Sequence, residues 1–292
     1  MLAHGGRNYA KTALLLGLLT GLLVGVGYWL GGTSWAVYGL ILAGVMNFAS
    51  YWWSDRIVLA LHGARPLPEP EAPELHRIVE RLAQRAGIPK PRLYSVADRA
   101  PNAFATGRDP EHAVVCVTDG ILELCDAHEL EGVLAHELSH VTNRDILISS
   151  VSATMAGAIA LMGRLFFYGE LFGGGRDDDR RGGAGLALLV SLIAGLLATL
   201  AQLAVSRSRE YAADATGARL AGSPDGLQSA LRKLAVVSQR VPMQSASPAT
   251  AHLYIVAPLS GSGGALSLFQ THPPLAKRIE RLEQMKREMA HG

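Results

Sequence analysis

"AHELSH", Ala135–His140, sets two histidines four residues apart with a glutamate directly after the first. With 10 histidines and 14 glutamates in 292 residues, chance alone gives this pattern in roughly 2% of such chains. On an α-helix, positions i and i+4 differ by about 40° and about 6 Å of rise, so His136 and His140 project from one face. Both rings then reach a single Zn²⁺ at about 2.0–2.1 Å. Glu137 points beside them, where it can take a proton from a water at the metal. The surrounding "DAHELEGVLAHELSHVTNRD" reads as a helix, with Leu130, Val133, Leu134, Leu138 and Val141 on one side. Histidines among such neighbours would be half-buried without a partner, which favours a metal site over a solvated surface helix.

A catalytic zinc needs a third protein ligand and one open position. The metzincin pattern would place Gly at 143 and His at 146. This chain has Asn143 and Ile146, so that class is excluded. Among carboxylates, Glu129 lies on the same face but about 10 Å down the axis, and Glu131 is rotated away. Glu170 lies beyond an apolar run. Glu210, in "SREYAAD", follows two apolar runs, and an even number of crossings returns it to the side of the histidines. Asp214, four residues on, shares its face and is a candidate acceptor for the second ring N–H of a ligand histidine. The plainer alternative for both is a solvated helix face paired with Arg207 or Arg209.

Charged residues make up 18% of the chain and mean hydropathy is +0.20, a balance that points to membrane. The net charge of +2 includes no long basic run, so nucleic acid is excluded as a partner. Residues Thr12–Ser54 carry no charge over 43 positions, room for two spans. "GGTS" at Gly31–Ser34 divides them into a predicted hairpin, Thr12–Leu30 and Trp35–Trp53, with Trp29, Trp35, Trp52 and Trp53 near the interfaces. The apolar run is too long for a signal-peptide core and flows into a second one, which argues against cleavage. Arg7 and Lys11 before it and Arg56 and Arg65 after it place both ends in the cytoplasm by the positive-inside rule. "RPLPEPEAP" (Arg65–Pro73) reads as a proline-rich linker.

Further along, Glu74–Ala86 carries a helical stripe, and "PRLYSVA", "NAFATG" and "AVVCVTDG" read as short strands. Cys116, alternating with apolar neighbours, reads as a buried small hydrophobe, and neither it nor Cys125 suggests a disulfide framework. Ile146–Met162 and Gly182–Ser206 are two more apolar runs, the second long enough to span. The arginines of the loop between them (Arg176, Arg180, Arg181) sit awkwardly outside, and a hairpin that dips in without crossing would return Glu210 equally well. Ser208–Ala221, Gly226–Val237 and the segment after "THPP" read as helices, the last started by prolines.

"AHELSHVTNRD", "SREYAAD", "PNAFATG" and "THPP", in that order, together with the apolar runs, resemble the HtpX family of bacterial membrane-bound heat-shock zinc metalloproteases, relatives of the CAAX prenyl protease. The likeness runs over essentially the whole chain except Val241–Ser267. It implies an α+β, mainly α-helical, multi-pass membrane protein whose zincin-like domain sets the active-site helix under a small β-sheet. It further implies a gluzincin site: one Zn²⁺ per chain held by His136, His140 and Glu210, Glu137 as general base and acid, and Asp214 behind the ligands. The implied activity is cleavage of misfolded or damaged membrane proteins on the cytoplasmic side of the bacterial inner membrane, with the lipid bilayer and unfolded proteins as partners. By analogy, "NAFATG", with Asn102, Ala103 and Phe104, is the candidate strand for pairing with substrate. Its alternative is an ordinary interior strand. His272 is a candidate oxyanion donor, though capping of the last helix is the simpler role. The expected organisation is an N-terminal hairpin (1–60), a first cytoplasmic part (61–145), two further apolar segments (146–206) and a second cytoplasmic part (207–292).

Three other classes fit less well. A zinc-stabilised scaffold has no need of Glu137. A transporter would not leave roughly half the chain outside the membrane or its confident spans free of charge. A CAAX-type enzyme fits a chain this short less well than the quality-control branch does.

Overall fold

The computed structural model describes residues 2–157, 207–237, 253, 255 and 273–291. It opens with α1 (Leu2–Trp52), broken at Gly31 and Gly32, where Gly32 adopts φ 69°. The two halves fold back as the expected hairpin. Gly27 packs on the Trp35 carbonyl and Gly39 on that of Leu23, while Asn47 Nδ2 donates to Thr20 Oγ1 across the pair (3.0 Å). Tyr9–Trp29 and Gly31–Trp52 are both long and apolar enough to cross a bilayer. Of the eighteen exposed large hydrophobics among the described residues, fifteen lie between Tyr9 and Trp53. In water such an apolar surface is a liability; against lipid it is the solvent-matched face.

After α2 (Ser54–Leu61) come β1 (Arg65–Pro66), α3 (Pro73–Ala86), β2 (Arg92–Val96), β3 (Ala103–Thr106), β4 (Val114–Thr118) and α4 (Asp119–Leu124). The linker expected at Arg65–Pro73 is corrected in part. Its start pairs antiparallel with β2, and Leu67, buried, donates its N–H to the Leu93 carbonyl (3.0 Å). Pro66 tolerates this because the strand is an edge, where a missing donor is not missed. The sheet order is β1-β2-β4-β3, with β2 and β4 parallel and β3 antiparallel to β4. Among the described strands, "NAFATG" therefore supplies an edge rather than an interior one. Cys116 is fully buried on β4, and burial pushes its thiol up to about 12.

The sheet covers α5 (Ala127–Thr142), the central helix. A capping box starts it: Asp126 accepts from the Glu129 N–H (2.9 Å) and the Glu129 carboxylate accepts from the Asp126 N–H (3.0 Å). Residues Gly132–Ser139 are all buried, because α3, β3, α7 (Arg207–Ala221) and α8 (Asp225–Val237) all pack on this helix. α9 (Leu275–His291) lies across α7 and α8. α6 (Ile146–Gly157) packs Leu147, Val151 and Met155 on Leu15 and Leu19 of the hairpin, which joins the apolar segments to the sheet-bearing part. The remainder of the run expected at Ile146–Met162, the run at Gly182–Ser206, His272, and all of 241–268 except Leu253 and Ile255 lie outside the described residues.

Two glycines set how closely α5 meets its neighbours. A Cβ on Gly217 of α7 would sit 2.8 Å from the His136 amide nitrogen, and one on Gly132 of α5 would overlap the Leu227 backbone of α8. Ser139 Oγ seals the first crossing by donating to the Ala213 carbonyl (3.0 Å). Gly217→Ala should therefore cost about 1–3 kcal/mol through overpacking. A thermal melt of the purified protein in detergent should show the lowered Tm.

Candidate metal centre

α5 presents His136 and His140 on one face, and α7 brings Glu210 opposite them. The two Nε2 atoms lie 3.3 Å apart. Glu210 Oε2 is 3.8 Å from His136 Nε2, and Oε1 is 3.6 Å from His140 Nε2. Ligands about 2.0–2.1 Å from a tetrahedral zinc would be about 3.3–3.4 Å apart, so the triangle needs little adjustment. The tautomers agree with this. His136 Nδ1 lies 2.9 Å from Asp214 Oδ1, and His140 Nδ1 lies 3.2 Å from Asp145 Oδ2. With each Nδ1–H given to a carboxylate, both Nε2 lone pairs face one point, and a cation is what such a point accepts.

Glu137 is buried one position along from His136. Its Oε2 accepts from the Ala105 N–H on β3 (2.9 Å), which ties the carboxylate to the edge strand. Burial, reinforced by the charge of Glu210, pushes Glu137 up to about 8. Burial lowers His136, opposed in part by its hydrogen bond to Asp214. Burial would lower His140 too, but the Asp145 hydrogen bond and the charges of Glu210 and Glu137 outweigh it and raise the ring to about 9.

Glu210 and Asp214 are 3% exposed, so the solvated-face alternative is excluded for both. Asp214 is held by a residue the sequence reading missed. Arg278, fully buried on α9, donates Nε and Nη2 to the two Asp214 oxygens (2.9 and 2.6 Å) and Nη1 to the Ile255 carbonyl (2.9 Å). Burial would raise Asp214, but the Arg278 charge and the hydrogen bonds from His136 and Arg278 hold it at about 2. A signal was present in the sequence: Arg278 occupies the 275, 278, 282, 285 stripe otherwise filled by Leu275, Leu282 and Met285. Asp145 was also missed. It lies beyond the helix, where Arg144 at φ 60° turns the chain back and the Asp145 N–H bonds the His140 carbonyl (2.9 Å). Helical spacing says nothing about such a residue.

Of the rejected carboxylates, Glu129 is paired with Lys233 (2.6 Å) and Glu131 with Arg81 and Arg85 (3.7 and 3.6 Å), while Glu170 lies outside the described residues. Asn102 caps its own strand, its Oδ1 accepting from the Ala103 and Ile255 N–H groups (2.8 and 3.1 Å), and Phe104 is buried. One other group among the described residues, Asp109, Glu111 and His112, has metal-compatible donors. It is more exposed, and Asp109 is already engaged by His112 and Arg108.

Comparison with known proteins decides the family. The family model for peptidase family M48 matches residues 69–286. The chain belongs to peptidase family M48. Among its relatives, the M48 chain is 52% identical to a "Protease HtpX homolog" of Desulforapulum autotrophicum over 94% of its own length and 89% of the relative's. It is also 52% identical to one of Pyrococcus furiosus (96% and 97%) and 50% identical to one of Aquifex aeolicus (92% and 90%). The crystal structure of S. mikatae Ste24p shares the fold, with TM-score 0.53 and 19% identity over 97% of this chain and 67% of that one. The protein is thus a metalloprotease of the HtpX type, and its M48 membership implies a metal that the donor set at His136, His140 and Glu210 fits.

Two measurements follow from this geometry. A divalent cation must displace the His140 proton, so zinc affinity should rise about tenfold per pH unit from pH 7 toward 9 and flatten above it, as read by chelator competition. Arg278→Ala leaves buried carboxylates uncompensated and should cost about 3–5 kcal/mol. Arg278→Lys should recover only part of the lost Tm, because an ammonium cannot form the fork on Asp214.

Proposed function

We propose that this metalloprotease is a zinc endopeptidase of the cytoplasmic membrane that cleaves misfolded or damaged membrane proteins on the cytoplasmic side. The observation that carries the reading is the meeting of His136, His140 and Glu210 beside a buried Glu137 that also touches the edge strand. The outward-facing hairpin surface and the HtpX relatives support a bilayer as partner. In this reading the chain is a multi-pass protein whose two cytoplasmic parts, 61–145 and 207–292, flank the apolar segments of 146–206.

His136, His140 and Glu210 would hold the zinc, and Asp214 and Asp145 fix the two rings from behind. A bound zinc supplies Lewis acidity toward water and the scissile carbonyl. The substrate backbone adds as a strand along the edge of β3 that is unpaired among the described strands, where the Ala105 N–H meets Glu137. Glu137 removes a proton from the attacking water and delivers it to the leaving amine. Its upward-shifted carboxyl suits it to both transfers near neutral pH. His272 is the proposed donor to the developing oxyanion.

Glu137→Gln should retain zinc yet lose about 10²–10⁴-fold in turnover of an unfolded protein substrate. Retained turnover would remove Glu137 from its role. Glu210→Ala should lose metal, and an unchanged zinc stoichiometry would place the third ligand elsewhere.

A further inference from the structure

Where the hairpin meets the sheet-bearing part, Trp52, Trp53, Asp55, Arg56, Arg92, Arg108, Glu111 and His112 line a pocket of about 300 Å³. Trp52 ends the second apolar helix, Trp53 follows it, and both are about half exposed. They mark the level at which a bilayer gives way to water, since indole rings concentrate there. Trp29 and Trp35, at the opposite end of the hairpin, mark the other face.

Three guanidinium groups gather at that level, opposed by Asp55 and Glu111 in the lining and by Asp109 beside Arg108, so the cluster is balanced in charge. Arg92 uses Nη2 on Asp55 (2.7 Å), and its side chain remains 53% exposed. Arg108 lies over the Trp52 ring at 4.9 Å, donates to the Trp52 carbonyl (3.2 Å) and contacts Asp109 (3.4 Å), so it is fixed in place. Arg56 is exposed and makes no hydrogen bond or ion pair among the described residues.

We propose that this pocket binds the phosphate of an anionic phospholipid headgroup, with Arg56 as its principal donor and Trp52 and Trp53 against the glycerol and upper acyl region. A guanidinium suits phosphate because its parallel N–H groups match two oxygens at once. Arg92 and Arg108 already meet Asp55 and Asp109, so Arg56 is the guanidinium left for the phosphate, and a headgroup without a cation of its own leaves that phosphate free to pair with it. A lipid held there would fix the height of the sheet-bearing part above the bilayer, since α2 and β2 supply Arg56 and Arg92. The inference rests on the membrane reading above.

The test uses the full chain purified in detergent, with native mass spectrometry reading retention of dioleoylphosphatidylglycerol against dioleoylphosphatidylcholine. The anionic lipid should bind at least about fivefold more tightly. Arg56→Gln should weaken it about fivefold, and adding Arg108→Gln should weaken it further. Arg77→Gln, an equal loss of charge at an exposed position of α3, should change nothing, and an unchanged Tm for Arg56→Gln would show that its fold is intact. Equal binding of both lipids, equal effects of Arg56→Gln and Arg77→Gln, or displacement of the lipid by equimolar inorganic phosphate would each overturn the proposal. Flotation with phosphatidylcholine vesicles is read separately. Loss of flotation would sink the membrane reading, whereas flotation without headgroup preference would sink the pocket alone.

Discussion

Burying charge is costly unless each charge meets its opposite, and this constraint organises the centre of the protein. Glu137, Glu210 and Asp214 are all about 3% exposed, so their charges are largely removed from bulk solvent. Arg278 answers them. Its fork holds Asp214, which orients His136, and its Nη1 stands 3.8 Å from Glu210. Helices α5, α7 and α9 thus come together through one chain of contacts, from an arginine on the last helix to an imidazole on the central one. The same guanidinium holds the Ile255 carbonyl, so part of the long connection before α9 is fastened to this centre as well.

The sequence exposed the site more readily than its supports. His136, Glu137 and His140 follow from a spacing that only a helix makes meaningful. Glu210 followed from counting apolar runs, an argument about sides rather than distances, and the side chain does lie within 3.6–3.8 Å of both rings. Asp214 followed from one more helical turn. Arg278 and Asp145 were hidden for different reasons. Arg278 reads as an ordinary surface residue of an amphipathic helix until one sees that it occupies the apolar stripe. Asp145 depends on a left-handed residue, Arg144, that no periodicity announces.

The fold was legible where patterns were long and obscure where they were short. The hairpin, α3, α5 and the strands around β4 carry clear periodicities, and the structure places them where expected. β1 is two residues long and rich in proline, so composition alone reads it as a linker. Its pairing is set by β2, a tertiary cause outside the segment itself.

The contact at Gly217 has a bearing on precision. Donor atoms arriving from two separate helices would normally inherit the looseness of whatever side chains keep those helices apart. Here main chain rests on main chain directly beside His136, so the gap is fixed by atomic radii and no rotamer can widen it. The backbone spacing from which Glu210 and the paired rings reach toward one another is therefore set by van der Waals contact rather than by side-chain packing.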